Sequence, residues 1–442
     1  MTRMKKVPVV KFAQRDEAAA AAVASSLPGE VTVALADVAG AVREGLLAFS
    51  CSAGLLVVQQ IMAEEMTVKV GPKGRHLPDR AATRNGTAPG SVALGGRTVP
   101  VDRPRATLAG GGEVHLDSYA VFSCTDLLTE LAVERMLAGV ATRRHADVAE
   151  PIGAGLEAVA RGDSRSAVSR RFKAATAKAL DELLARDLSE MNAAVLMIDG
   201  VLFADTCCVA ALAITADGTK VPVGLWDGDT ENTTVVKDLL ADLVARGLRF
   251  EDGLLVVIDG SKALAAGVKR VFGKRAVVQR CTLHKRRNVS DYLPEELAGV
   301  TDAKLAKAFN DADAARGKRV AEGIARQLEA KYPSAAASLR EGLDDMFAVR
   351  RLGVSDRLAR SLSCTNSIES MFSVVRTVTG RVKTWKDTQM VRRWVAAGML
   401  EAERSFRRIK GCNDMGTLVA AVHAEVARRV AADTPQAQDA VA

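Results

Sequence analysis

Cysteine and histidine are scarce in this chain, with seven and five among 442 residues. The cysteines are odd in number and scattered. One adjacent pair, Cys207 and Cys208, occurs, but no C-x-x-C, which argues against a disulfide framework and for a reducing compartment. The histidines at 76, 115, 145 and 423 supply no second pair at finger spacing for Cys281-x-x-His284. A structural zinc site needs four ligands, so that motif reads as a packed thiol and imidazole at a sheet edge, with Lys285, Arg286, Arg287 and Asn288 forming a basic strip beside it. Long apolar segments are missing too. The start, MTRMKKVPVVKFAQRDE, turns polar before reaching signal length, and the best run elsewhere, near Leu46 to Ala63, is broken by Ser and Gln. No export or membrane-spanning segment is expected, and the chain is expected to be cytoplasmic.

What is present is apolar material and positive charge. Hydrophobic residues make up 48% of the chain, enough for a sizeable core, and the length suits two to four domains. Lys and Arg number 61 against 53 acids, a formal charge of +8, which biases the chain toward polyanionic partners. The excess is local: residues 376–410 carry ten basic residues against three acids, and residues 66–105 carry eight against two.

Along the chain, residues 1–65 read as an Ala-rich helical module. Residues 66–123 switch to Gly, Pro, Arg and short Val alternations, a small β-rich element whose basic loops are either a solvated surface or a nucleic-acid contact. Residues 124–190 turn helical, and GLEAVARGDSRSAVSRRF has a form suited to a helix-turn-helix. One helix would end near Gly162, Ser164 would cap the next, and that next helix would project Arg165, Ser169, Arg170 and Lys173 toward DNA. Two packed helices without DNA contact are the other reading.

Ala193 to Arg280 is the most legible part. Strand-like runs at 193–203, 206–215 and 220–226, the last two joined through Asp217-Gly218, predict an antiparallel meander. A helix at 230–246 follows, with Thr230 as its cap and Gly247 as its stop. Then come a strand at 254–259, a helix at 261–272 and a strand at 276–279. Three antiparallel strands followed by α-β-α-β is the order of a ribonuclease-H-like fold, in which the first strand lies beside the fourth.

Two of these strands, AAVLMIDG and LLVVIDG, end on Asp199 and Asp259. A carboxylate at the end of a buried strand needs a cation or several hydrogen bonds. Either each Asp starts a turn, or the two share a site. A pair of carboxylates on neighbouring strand ends, completed by a Glu from a packed helix, would offer hard oxygen ligands to Mg²⁺ and support metal-assisted phosphoryl transfer. Periodicity does not single out that Glu.

The blocks VLMIDG, GLWDGDTENTTV, LLVVIDGSKAL, VQRCTLHKRRNV and TNSIESMFSVVR, in this order, resemble the Mutator-like insertion-sequence transposases of bacteria, a branch of the DDE transposases. RTVPVDRPR, HLDSYAVF and MLAGVATRRH extend the resemblance, which covers roughly residues 35–425. It implies a multidomain, mainly α protein with an α/β ribonuclease-H-like core on a mixed five-stranded sheet. The first part of the core would span 191–288, an all-helical insertion 289–360 and the last part 361–425, while the composition of the chain end, TPQAQDAVA, predicts a disordered tail at 426–442. The resemblance assigns Asp199, Asp259 and Glu369 as catalytic, Mg²⁺-binding residues, with two ions expected and Mn²⁺ able to substitute. Cys281 and His284 match a family signature with a structural role.

The resemblance further implies binding of terminal inverted repeats and target DNA, 3′-end cleavage and strand transfer, action as a homodimer or higher oligomer, and association with the bacterial nucleoid through DNA. Arg376, seven residues after Glu369 and so on the same helix face, would meet a DNA phosphate beside the metals, and Arg286, Arg287, Arg381 and Lys383 would add contacts. Residues 289–368 contain no tryptophan. In related eukaryotic transposases that residue stabilises a flipped base during hairpin formation, so its lack here points to copy-out through a circular intermediate. A catalytically silent or domesticated DNA-binding descendant, and a ribonuclease-H-like nuclease without strand transfer, are the alternative readings.

Overall fold

The structure, a computed structural model, describes residues 45–75, 81–203, 205–228, 230 and 232–432. The expected helices before residue 45 and most of the expected tail lie outside the described residues. The chain divides into two compact units, one of residues 1–136 and 140–172, the other of residues 137–139 and 173–442.

In the first unit, helix α1 (Leu46–Val70) lies on a hairpin of β1 (Ala82–Leu94) and β2 (Arg97–Leu108). Gly95 and Gly96 form the turn with φ of 56° and 73°, a left-handed pair that matches the twist of the strands. Val58 and Met62 pack against Val92 and Val101, and Met66 and Val70 pack against Ala82 and Ala106. The Ser and Gln that break the apolar run do not break the helix, because α1 needs one apolar face only. At 25 residues it is long and apolar enough to cross a membrane, and Leu46, Leu47, Val57 and Val68 on its other side are exposed. Helices α2 (Asp117–Ser123), α3 (Asp126–Leu137), α4 (Ala154–Val159) and the start of α5 (Arg165–Leu184) follow. Arg97, 8% exposed, holds Glu157 and Asp163 at 3.2 and 3.1 Å and so fastens the α4–α5 segment to β2.

The second unit is built on a mixed sheet of order β5-β4-β3-β6-β7, formed by β3 (Ala193–Phe203), β4 (Thr206–Thr215), β5 (Lys220–Gly228), β6 (Leu254–Ile258) and β7 (Ala276–Arg280). β3, β4 and β5 are antiparallel neighbours, while β6 runs parallel to β3 and β7 parallel to β6. The first strand thus lies beside the fourth, as expected. Helices α6 (Thr233–Ala245) and α7 (Lys262–Phe272) cover one face through Leu239, Leu243, Leu264 and Val268, which pack on Leu196, Ile198 and Val256. Asn232, not Thr230, caps α6, its side chain accepting from the Thr234 and Val235 N–H groups at 3.0 Å. The difference is one of reach, since a cap must stand two or three residues before the amides it satisfies.

The opposite face carries α14 (Asn366–Thr379), α15 (Thr388–Ser405) and α16 (Met415–Ala431). Their Ile368, Phe372, Val395, Met399, Leu418 and Val422 pack on Val195, Met197, Val201 and Val257, a layer in which each fully buried side chain contributes about 1.5–3 kcal/mol. α16 continues to Ala431, past residue 426 where the tail was expected to begin. Between β7 and α14 come α8 (Thr282–Ser290), α9 (Glu295–Phe309), α10 (Ala314–Glu329), α11 (Pro333–Arg340), α12 (Ala348–Arg351) and α13 (Asp356–Leu362). α8 to α11 form a helical subdomain with its own core, which includes Leu305, Phe309, Ala325, Leu339 and Phe347. Buried polar side chains fasten it to the sheet. Gln279 donates to the Met346 carbonyl at 3.0 Å and accepts from Val349 N–H at 2.9 Å, and Lys285 Nζ donates to the carbonyls of Ser338 and Glu341 at 2.5 and 2.9 Å.

Candidate active site

Asp199 belongs to the same side of β3 as Val195, Met197 and Val201, because side chains alternate along a strand. That is the side on which α14 packs, so the apolar stripe of α14 that seats it on the sheet also delivers Glu369, in its first turn, to Asp199. Asp259 follows the end of β6. Ile258 is registered against Ile198 in the parallel pair, so Asp259 stands at the level of Asp199, which lies within β3 rather than at its end because that strand continues to Phe203; adjacent strands are roughly 5 Å apart.

Asp199 is 8% exposed. Burial, then the charge of Asp259, push its carboxyl up to about 7; Glu369 adds to the rise, while His284 opposes it. Its Oδ1 accepts from Gly200 N–H at 3.0 Å, and Asp259 Oδ1 accepts from Ser261 N–H at 2.7 Å. Ser261 in turn caps α7 through Leu264 N–H, which fixes the turn that carries Asp259.

Behind Glu369 stands a second layer. Thr365, wholly buried, donates its hydroxyl to Glu369 Oε1 at 2.6 Å and stands 3.4 Å from both Cys281 Sγ and His284 Nδ1. His284 Nδ1 is 4.0 Å from Glu369 Oε1. The hydrogen bond to Cys281 holds the imidazole up at about 9; burial opposes this, and the charges of Cys281, Asp199 and Glu369 assist it. Burial alone would raise the Cys281 thiol, but hydrogen bonds from His284 and Thr365 outweigh it and hold the thiol below its ordinary value. Ligand atoms of Cys281, His284 and Glu369 all lie within 4.8 Å of one another. Cys281, His284 and Glu369 could together hold a metal ion, and without one the imidazole stands where it offsets the negative charge of Glu369 and Asp199. The C-x-x-H motif, expected at the sheet edge as packing, thus faces the acids.

The basic strip after the motif does not form. Lys285 is 2% exposed and is spent on the helical subdomain, because α8 turns that position inward against α11. Arg286 is locked to Asp302 by two hydrogen bonds, with Nε to Oδ1 at 2.7 Å. Arg287 alone of the three is exposed. Arg376, Arg381 and Lys383 are exposed, as are Arg165, Ser169, Arg170 and Lys173 on α5, whose first turn is capped by the Ser164 hydroxyl accepting from Ala167 N–H at 3.3 Å. The helix before that cap ends at Val159 rather than Gly162 and has only six residues. Among the hairpin's cations, Arg84, Arg97, Arg103 and Arg105 are engaged internally, which favours structural use of that block. Trp394 is buried in the core and Trp385 and Phe406 pack against it, so the aromatics of the second basic block are packing residues.

Three residues escaped sequence reasoning. Thr365 and Lys285 stood out only as neighbours of motifs. Arg280, at the end of β7, is 5% exposed; it donates to the carbonyl of Gly260, next to Asp259, and pairs with Glu341 of the helical subdomain at 3.4 Å. Arg280 lies in the block VQRCTLHKRRNV beside the polar Gln279, but a block does not say which contact each of its residues makes.

A family model described as transposase, Mutator family, matches residues 39–408. The transposase for insertion sequence element IS6120 of Mycolicibacterium smegmatis is 30% identical over 198 residues, 43% of this chain and 60% of that protein. The transposase for insertion sequence element IST2 of Acidithiobacillus ferrooxidans is 30% identical over 177 residues, 40% and 58% of the two chains. A probable transposase for an insertion sequence element of Corynebacterium diphtheriae is 26% identical over 215 residues, 48% and 61%. The chain spans about three fifths of the length of these curated relatives.

Proposed function

Since this chain belongs to the Mutator family of transposases, we propose that it is the DNA transposase of an insertion sequence, with a ribonuclease-H-like catalytic core and Asp199, Asp259 and Glu369 as its catalytic acids. The observation that carries this reading is the placement of the acids: Ile258 is registered against Ile198, which sets Asp259 beside Asp199, and α14 packs on the face of β3 that carries Asp199 with Glu369 in its first turn. Such a cluster opposes its own ionisation, and hard divalent cations fit a donor set of this kind. Asp199, Asp259 and Glu369 would hold Mg²⁺, with Mn²⁺ as a substitute. Bound there, the two ions would activate the attacking oxygen and stabilise the leaving oxygen of an in-line displacement.

The chain's own residues set the stage for that chemistry. Thr365 and His284 hold Glu369 in one orientation, and the Ser261 turn and Arg280 hold the loop of Asp259. In the first reaction a water oxygen bonds to phosphorus and the P–O3′ bond breaks, releasing a 3′ hydroxyl. In the second, that 3′ oxygen attacks a phosphodiester of the target and another 3′ oxygen leaves. Both proceed in one site without a covalent protein intermediate. Double-stranded DNA, as terminal inverted repeats and target, is the substrate, with a homodimer or larger assembly holding it. Copy-out through a circular intermediate accords with the lack of tryptophan in residues 289–368.

Asp199→Asn and Glu369→Gln are expected to abolish Mg²⁺-dependent cleavage and joining of duplexes carrying the element ends while leaving binding of those ends intact. Wild-type cleavage by either variant would remove the assignment.

A further inference from the structure

The second basic block does not stay at one end of the sheet. Ala193, where β3 begins, pairs with Thr215, so the β4–β5 turn stands at the starting end of β3. Asp199 lies six residues along that strand, roughly 20 Å away at about 3.3 Å per residue, and Asp259 follows the matching end of the parallel β6. The loop joining α15 to α16 is fastened at the starting end. Ile409 N–H donates to the Gly218 carbonyl at 2.9 Å, and the Ile409 side chain is 3% exposed in the core. Gly411 has φ of +88°, and a Cβ there would stand 2.7 Å from the Leu358 nitrogen, so glycine alone lets the loop close on the start of α13. Ser361 Oγ donates to the Lys410 carbonyl at 3.1 Å, and Asp414 accepts from Ser355 N–H.

Between this pinned loop and α13 lies an open cavity of about 760 Å³ whose charged lining is Arg357, Arg407, Arg408, Lys410 and Asp414. Asp414 is occupied by the Ser355 amide, and Arg408 pairs with Asp217 at 3.1 Å. Arg357, Arg407 and Lys410 are exposed and have no ion-pair partner among the described residues. Three cations, Arg357 on α13 and Arg407 and Lys410 on the loop pinned to it, concentrate positive potential on one surface. The lining has no aromatic side chain on which an unpaired base could stack.

We propose that this cavity seats the phosphate backbone of double-stranded DNA, a contact surface separate from the three acids that engages a stretch of duplex other than the one being cut. The inference rests on the reading of the chain as a DNA-acting protein. It divides the block of residues 376–410 by place in the fold: Arg376 shares a helix with Glu369, while Arg407 and Lys410 serve DNA at the far end of the sheet.

The test is the salt dependence of binding to a random-sequence duplex of about 40 base pairs, read by fluorescence anisotropy on the full chain. The triple variant Arg357→Ala, Arg407→Ala, Lys410→Ala is compared with a control that loses equal charge elsewhere, Lys269→Ala, Arg270→Ala, Lys331→Ala, all exposed positions. The cavity variant is expected to bind roughly 10- to 100-fold more weakly near 100 mM salt and to lower the slope of log K against log salt by about 2 to 3, at about 0.9 for each phosphate that is no longer neutralised. The control should barely change the slope. An unchanged slope in the cavity variant, or an equal fall in the control, overturns the proposal. Asp199→Asn measured in parallel for metal-dependent cleavage reads the catalytic assignment, so failure of one leaves the other separately decided.

Discussion

With divalent cations removed by EDTA, Asp199→Asn is expected to stabilise the protein at pH 8 and to leave its stability nearly unchanged at pH 4. The carboxyl of Asp199 is pushed from 3.8 up to about 7 by burial first and Asp259 next. The folded chain therefore keeps this proton to about pH 7, while the unfolded chain releases it near pH 3.8. Between those values the folded state binds more protons, so its stability falls as pH rises, and the penalty is complete above pH 7. Three units at 1.36 kcal/mol each amount to about 4 kcal/mol, and with the side chain 8% exposed solvent screening gives little relief. Asn carries no charge and escapes the penalty. Mg²⁺ should recover the loss in the wild type and stabilise the variant, which keeps Asp259 and Glu369, much less. Urea unfolding followed by tryptophan fluorescence is the assay, since Trp226, Trp385 and Trp394 all belong to the unit that holds the sheet. A wild-type-minus-variant difference that stays flat from pH 4 to pH 8, or a variant less stable at pH 8, would refute the electrostatic account of the site.

Two further outcomes follow from the support around the acids. Thr365→Val removes the hydroxyl that holds Glu369 and is expected to lower metal-dependent cleavage about 10- to 100-fold, with Thr365→Ser restoring most of it; cleavage rates at saturating Mg²⁺ check this. Gly342 has φ of +64°, and a Cβ there would stand 2.0 Å from Arg280 Nη1, so Gly342→Ala is expected to cost roughly 2–4 kcal/mol in urea unfolding. Gly353, with φ of +70° and nothing within 4 Å, is the matched control and should cost about 1 kcal/mol on the same substitution.

The apolar strands were legible because a buried strand must be written in continuous apolar residues. The runs at 193–203 and 206–215 are the strands the structure contains. The adjacency of Asp199 and Asp259 followed from strand order, which the paired register of Ile198 and Ile258 displays. Glu369 was out of reach of periodicity, since its distance from Asp199 depends on how α14 packs across the sheet; only the ordered blocks singled it out. Lys285 shows the opposite failure. In sequence it is one of a row of cations, yet α8 turns it inward to bond the carbonyls of Ser338 and Glu341, while Arg287 two residues later meets solvent.

The sequence by itself determined the strands of the sheet, the apolar faces of its helices and the family, because each is written in local pattern or in ordered blocks. Only the tertiary structure decided that Cys281, His284 and Thr365 stand behind Glu369, that Arg280 ties the helical subdomain to the loop of Asp259, and that Arg407 and Lys410 lie at the opposite end of the sheet from the acids. Contacts between segments eighty residues apart depend on which faces pack together, and charge alone does not say whether a cation turns toward a carbonyl or toward water.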